Sequence, residues 1–191
     1  MKINRFYKIL IISYAISTFA EGIIAPIYAI FVQKIGGDIL EATGAVATFL
    51  IMSGAATIVI HRSRWSQKHR KTLMIVGWFV WVLGIGMYLI ISDLPTLFAA
   101  QVLIALGNAT ANPAFDAELD DHTDAKIKSY EWGLFEALQD ILSGIAAITG
   151  GLVATLFGFE ALVYCMIAAA TISFFLILYY LHMQRVSRYP A

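Results

Sequence analysis

Long uncharged segments, each sufficient to cross a lipid bilayer as a helix, constrain this sequence more than any other feature. Charged residues are absent from 42–61, 72–92, 94–115, 141–159 and 161–184, segments of 19 to 24 residues. A helix needs about 20 apolar residues to span the hydrocarbon core. The segment 9–33 is equally apolar apart from one acid, Glu21, so the sequence predicts six transmembrane spans in an all-α integral membrane protein.

These spans leave few residues for a soluble region. We place spans 1 to 6 at about 6–33, 43–60, 72–92, 95–115, 130–157 and 161–182 of a single domain covering 1–191. Only 14% of the residues are charged, against about a quarter in soluble domains, so neither a soluble enzyme nor a nucleic-acid binder is expected. The lone Cys165 lies in an apolar segment, and no disulfide, cofactor or metal site is predicted.

The basic residues predict the orientation. Of the 13 Lys and Arg residues, all but Lys34 fall on one predicted side. They are Lys2, Arg5, Lys8, Arg62, Arg64, Lys68, Arg70, Lys71, Lys126, Lys128, Arg185 and Arg188. Cytoplasmic loops are rich in Lys and Arg, so we expect both termini in the cytoplasm and the protein in the plasma (inner) membrane. Span 1 continues to Val32, past a weak cleavage pattern at Thr18-Phe19-Ala20, which favours a retained helix over a signal peptide.

Polar side chains recur at helical spacing in three spans. They are Tyr14, Thr18 and Glu21 in span 1, Gln101, Asn108 and Asn112 in span 4, and Glu136 and Asp140 in span 5. Each set lies on one helix face. Because lipid would tolerate none of these faces, we expect them to line one shared aqueous cavity that binds substrate and protons.

Each polar residue also has a structural interpretation. The three span 4 amides have the alternative of bonding neighbouring helices together. A carboxylate near the bilayer centre costs roughly 2.5 to 3.5 kcal/mol on insertion scales, which favours a functional role for Glu21 and Asp140. Glu136, nearer the end of its span, has the alternative of facing a water-filled mouth. No Lys or Arg lies deep in a span, so these acids must be protonated, hydrated or paired with a group from outside.

Two other interpretations are less favoured. The acidic run 116–124 has the composition of a cation site, but we interpret it as a solvated connector. An intramembrane enzyme would need a catalytic pair at membrane depth, and the four histidines do not provide one. His61, His69, His122 and His182 all fall at the predicted cytoplasmic ends or loops.

Glycine and proline mark where spans bend or touch. The six predicted gating or bending positions are Gly22, Pro26, Gly107, Pro113, Gly150 and Gly151. The first four fall in spans 1 and 4, each the first span of a three-span set. This indicates a 3+3 internal repeat of the kind that transporters use.

The motifs Gly22-Ile-Ile-Ala-Pro26, Gly107-x5-Pro113 and Gly150-Gly151-x6-Gly158 occur in this order along the chain. The chain thereby resembles the amino-terminal six-helix half of the major facilitator superfamily, and is most similar to its drug:proton antiporter branch. The resemblance covers essentially the whole chain. It departs from the family where Ser66 replaces a loop aspartate, Gln101 replaces the span 4 arginine and Ala146-Ala147 replaces a Gly-Pro pair.

Family members carry two six-helix halves around a central substrate site. The resemblance therefore implies a half-size secondary transporter that works as a parallel homodimer by alternating access. Its expected partners are a second copy of itself, a small and cationic substrate, protons and the bilayer. The alternatives are a non-transporting membrane subunit and an N-terminal fragment of a twelve-helix transporter.

Overall fold

A computed structural model describes residues 4–188, with side chains to Val186, as helices joined by short turns. The helices are α1 (Arg5–Gly22), α2 (Tyr28–Lys34), α3 (Ile39–His61), α4 (Arg64–Lys68), α5 (Arg70–Gly86), α6 (Leu94–Asp120) and α7 (Lys128–Arg188). Single 3-10 turns cover Ala25–Ile27 and Met87–Leu89. Lys2 and the side chain of Arg188, two of the predicted cytoplasmic charges, lie outside the described residues.

Predicted span 1 is a broken helix. Its first part, α1, ends at Gly22, and a 3-10 turn at Ala25–Ile27 leads into α2. Proline has no N–H to give to the carbonyl four residues earlier, and its ring clashes with that carbonyl. For Pro26 that carbonyl belongs to Gly22, so this proline favours the break at the end of α1.

The helical stretch α7 reverses direction at Gly158. This glycine has φ 86° and ψ 174°, a conformation that residues with a Cβ rarely adopt. Residues 128–157 form a first arm, whose Gly150 lies against Ile23 of α1. Residues 159–188 form a second arm, where the Ser173 hydroxyl donates to the Ser13 carbonyl at 2.7 Å. Along the first arm, the contacts run from Tyr7 near the start of α1 to Ile23 just beyond its end. Along the second arm they run back from Ser13 to Phe6, so the two arms are antiparallel.

The basic ends of the helices gather at one end of the bundle, called here the basic end. Lys128 pairs with Asp120 at 2.5 Å, and Arg70 pairs with Asp121. Arg5 donates to the Tyr179 hydroxyl at 3.4 Å. At the opposite end, Asp38 caps α3 in a capping box with Glu41, and Asp93 caps α6. Such caps satisfy backbone N–H groups that the helix leaves free.

Glycines let the central helices approach closely. A Cβ on Gly77 of α5 would lie 2.5 Å from the Ala111 nitrogen of α6, and one on Gly107 would lie 2.5 Å from the Trp81 nitrogen. Small residues at helix contacts are the usual packing device in membranes. By contrast α3 packs on α6 alone among the long helices and leaves large apolar side chains exposed, including Leu50, Ile51 and Val59.

Five helical stretches in the described part of the chain are long and apolar enough to cross a membrane. The last of these is α7, which Gly158 divides into two arms. The prediction of an all-helical membrane protein is confirmed. The arrangement as a six-helix 3+3 repeat stays a prediction.

The two adjacent glycines of the first arm provide a matched test of this packing. A Cβ on Gly150 would lie 1.8 Å from the Ile23 carbonyl oxygen, whereas one on Gly151 would meet no atom within 4 Å. We expect Gly150→Ala to destabilise the fold by about 1–3 kcal/mol, because overpacking forces the backbone apart. Gly151→Ala should leave the thermal midpoint in detergent unchanged or slightly higher, since Ala is the better helix former. Equal midpoints would contradict the close contact.

Candidate functional site

The centre of the site is Glu21, in the last turn of α1. One of its oxygens, Oε1, accepts a hydrogen bond from Trp81 Nε1 at 2.6 Å and another from Asn108 Nδ2 at 3.2 Å. Three helices, α1, α5 and α6, therefore meet at a single carboxyl oxygen. The position of the acid is set by the break at Pro26, which ends α1 one residue beyond Glu21.

A small pocket lies beside Glu21, on the side toward the basic end. Its volume is about 50 Å³. Polar side chains from α1 and α6 and two indoles from α5 line it. The lining residues are Tyr14, Ser17, Thr18, Glu21, Trp78, Trp81, Asn108, Ala111 and Asn112. The predicted polar faces of spans 1 and 4 therefore meet here.

A larger cavity of about 520 Å³ lies on the other side of Glu21, toward the opposite end of the bundle. Residues of α2, α3, α6 and the end of α5 form it, and most of its lining is apolar. Its polar groups include the Gln101 amide, which donates to the Tyr28 hydroxyl at 2.8 Å and to the Tyr88 hydroxyl at 3.1 Å. Glu21 lines both this cavity and the small pocket.

Tyr14 belongs to an aromatic cluster as well as to the pocket. Its ring lies 4.8 Å from Phe115, 5.2 Å from Phe135 and 6.0 Å from Trp78, measured between ring centroids. Packed aromatic rings of this kind stabilise a helix junction. The phenol therefore has a structural part in holding α1, α5, α6 and the first arm together.

The acids of span 5 lie elsewhere, and this corrects the expectation of one shared cavity within a chain. Glu136 and Asp140 are exposed on the first arm and line neither the cavity nor the pocket. The arm packs on α1 through Phe135 and Ala146, both buried. The next residue along a helix is turned by about 100°, so Glu136 points away from that contact.

The predicted bending positions divide into contact glycines and helix breakers. Gly22, Gly107 and Gly150 each lie against a neighbouring helix, and Gly151 meets no atom within 4 Å. Pro26 lies in the break of span 1, whereas α6 continues through Pro113. Any gating role of these positions stays a prediction, as do the binding roles of the polar residues.

Sequence reasoning missed Trp81 and Tyr88. Both lie in predicted span 3, which has no charged residue and therefore offered no sign of a site. A buried indole N–H or phenol usually needs an acceptor, and that rule would have pointed to an acid or amide opposite them. The partners, Glu21 and Gln101, are distant in sequence, so only the fold identifies them.

A second polar cluster occupies the basic end, and it corrects the interpretation of the acidic run as a solvated connector. Glu118 lies within α6 and is 1% exposed. Its oxygens accept from Tyr180 at 2.6 Å and Gln184 at 2.8 Å, and pair with Arg70 at 3.2 Å and Lys71 at 3.5 Å. This acid joins α5, α6 and the second arm. The sequence did not indicate this role of Glu118 because α6 extends to Asp120, beyond the end of the uncharged segment 94–115.

Comparison with known proteins gives a family and a fold. The sequence model of the family described as the Major Facilitator Superfamily matches residues 10–190. Among solved structures, the chain is similar to the in meso crystal structure of the POT family transporter PepTSo, with a TM-score of 0.73 and 16% sequence identity. The match covers 93% of this chain and 37% of that one, so the chain spans little more than a third of that structure's length. No curated protein matches significantly.

The Glu118 cluster generates a stability prediction. Glu118→Gln should lower the free energy of unfolding by about 1.5–3 kcal/mol, the usual worth of hydrogen bonds to a charged group, since it weakens its bonds to Tyr180 and its pairing with Arg70. Asp121→Asn is the control, because Asp121 also pairs with Arg70 but is half exposed and should cost under about 1 kcal/mol. Thermal unfolding in detergent measures both. A smaller effect at Glu118 than at Asp121 would contradict the proposed anchoring.

Proposed function

The chain belongs to the major facilitator superfamily, and on this premise we propose that it is a half-size secondary active transporter of small molecules. The observation that carries the proposal is the position of Glu21. Its carboxyl borders a cavity on one side and a small pocket on the other. Among the described residues, no Lys or Arg lines either space, so the charge of this acid is free to be balanced by a ligand that arrives and leaves.

We propose that transport uses a parallel homodimer. Asp140 lies near the middle of the first arm and is exposed on the surface of a single chain. A carboxylate at that depth is costly against lipid, and a second copy would cover it. The exposed apolar face of α3 supplies the neighbouring contact surface. A twofold axis along the membrane normal would relate the copies and place the two cavities beside it.

The proposed mechanism is alternating access driven by an ion gradient. The two bundles rock around the cavity and open it to one side of the membrane at a time. No phosphate-binding loop of the form G-x-x-x-x-G-K occurs in the sequence, so nothing indicates coupling to ATP. Protonation of Glu21 removes its charge, and a proton bound on one side and released on the other couples the cycle to the proton gradient.

The proposed substrates are cations or protonatable amines, as in the drug:proton antiporter branch. The 520 Å³ cavity is mostly apolar with an acid at its base, and Tyr28 offers a ring face to a cation. Two copies would contribute Glu21, Glu136 and Asp140 twice. The distribution of Lys and Arg supports placing the basic end in the cytoplasm and the protein in the plasma (inner) membrane.

Glu21→Gln tests the coupling role. The amide mimics the neutral carboxyl, so we expect folding to be preserved while ethidium movement driven by a pH gradient in vesicles is lost. Glu160→Gln removes an exposed acid at the opposite end and serves as the control with unchanged transport. Full pH-driven transport by Glu21→Gln would remove this residue from the coupling step.

Cysteine cross-linking tests the dimer. In a Cys165→Ser background, Leu50→Cys on α3 and Ile145→Cys on the first arm should form a product of twice the monomer mass in membranes, because both side chains are exposed near mid-helix. Ile172→Cys on the second arm is equally exposed and replaces Ile145→Cys in the control pair, which should not cross-link. Equal yields from both pairs, or none, would contradict the proposed interface.

A further inference from the structure

Two hydroxyl groups that line the small pocket beside Glu21 donate their protons to the backbone. The Ser17 hydroxyl donates to the Tyr14 carbonyl at 2.7 Å, and the Thr18 hydroxyl donates to the same carbonyl at 3.1 Å. A hydroxyl that has given its proton to the backbone keeps its lone pairs as acceptors. Both oxygens therefore keep lone pairs that are available to an occupant of the pocket.

The amide and carboxyl groups add further acceptors. Asn108 uses its Nδ2 as a donor to Glu21, which leaves its Oδ1 as an acceptor. Both donors to Glu21 reach Oε1, and no hydrogen bond or ion pair within residues 4–188 reaches Oε2. Asn112 also lines the pocket. The pocket thus combines one carboxylate, three hydroxyls including that of Tyr14, and two amides, and the oxygens of all six groups carry lone pairs.

The charge of the pocket selects the occupant. Glu21 is the only acid among the lining residues described, and none of them is a Lys, Arg or His. Water would supply donors without balancing that charge, whereas a divalent ion would leave an excess positive charge in an apolar bundle. Groups of three or more His, Cys, Asp or Glu that could hold a metal ion are absent from the described residues. One monovalent cation balances one carboxylate.

The size of the pocket agrees with this choice. A volume of about 50 Å³ is larger than the roughly 10–15 Å³ that a cavity needs to hold one water, so it admits a small ion together with water. Hard cations without a strong geometric demand prefer oxygen donors. We propose that this pocket is a monovalent cation site, filled by Na⁺ in competition with a proton on Glu21.

The site does not depend on the transport activity or the dimer proposed above. The other titratable groups that line the two spaces are the phenols of Tyr14, Tyr28 and Tyr88, which are neutral near pH 7. Asp116, one turn beyond Asn112 on α6, lies near Tyr14 but lines neither space. The acids of the first arm, Glu136 and Asp140, face away from the pocket. Lowering the pH should therefore raise the apparent Kd for Na⁺ through protonation of Glu21 itself.

Tryptophan fluorescence of the purified full chain in nanodiscs tests the proposal without a transport assay. Trp81 donates to Glu21 and Trp78 lines the same pocket, so binding places an ion beside two indoles. At pH 8 and constant ionic strength, replacing choline chloride by NaCl should give a saturable change in emission. At pH 5.5 the same change should require more Na⁺.

Matched threonine variants assign the signal to the pocket. Thr18→Val removes one oxygen and should weaken Na⁺ binding by at least about tenfold, the scale of losses seen when groups around a metal are removed. Thr48→Val removes a half-buried threonine that bonds its own helix in the same way on α3, and should leave the Kd unchanged. Glu21→Gln should abolish the response. Should Glu21→Gln unfold, Asn112→Ala replaces it and should also weaken binding.

Three results would overturn the cation site. Identical emission in choline and sodium means that the pocket holds water or a proton only. A response kept in Glu21→Gln places the ion elsewhere, as do equal effects of Thr18→Val and Thr48→Val. If the wild-type chain binds Na⁺ but shows no proton-driven transport, the coupling proposal is refuted and this site stands.

Discussion

A carboxyl group inside an apolar bundle needs hydrogen-bond donors from the protein itself. The packing of α1, α5 and α6 depends on how such donors reach Glu21. Its two donors come from α5 and α6, which reach the same oxygen because those helices are in close contact. The contact is possible because Gly107 has no side chain where Trp81 passes. Trp81 and Asn108, the residue after that glycine, thus converge on α1. A larger residue at Gly107 would separate the donors from the acid as well as the helices from each other.

Two acids within the bundle, Glu118 and Glu21, are balanced in different ways. Glu118 at the basic end is surrounded by two cations and two neutral donors, which balance its charge within the fold. Glu21 has neutral donors only, and it borders space on two sides. An acid whose charge is balanced internally serves as an anchor. An acid whose charge must be balanced by something mobile suits ion or proton exchange, and this contrast underlies the proposals for Glu21.

The surface of the bundle is as informative as its interior. The second arm and α5 are joined by polar contacts such as Trp78 to Ser173 at 3.0 Å. These two helices, the first arm and α3 all expose apolar side chains, and the first arm adds Asp140 to its exposed face. Apolar side chains are stable against lipid, whereas a carboxylate at that depth is energetically costly. The exposed acid is therefore the observation on this surface that supports the proposed dimer.

Much of this architecture could be predicted from residues alone because the bilayer limits the choices. Segments without charge must be helices, since lipid offers no partner to a free backbone group. Pro26 favours an interruption of span 1 because it lacks an N–H, but α6 continues through Pro113, so only the structure shows which proline breaks its helix. The sequence also identified the polar faces that meet at Glu21. It could not show that Glu136 and Asp140 face away, because the rotation of the first arm is set by contacts of Phe135 and Gly150 with α1. Nor could it pair Glu21 with Trp81 or Glu118 with Tyr180, which are 60 and 62 residues apart in sequence. Local periodicity determines which side chains share a helix face, and only the packing of helices decides what each face meets.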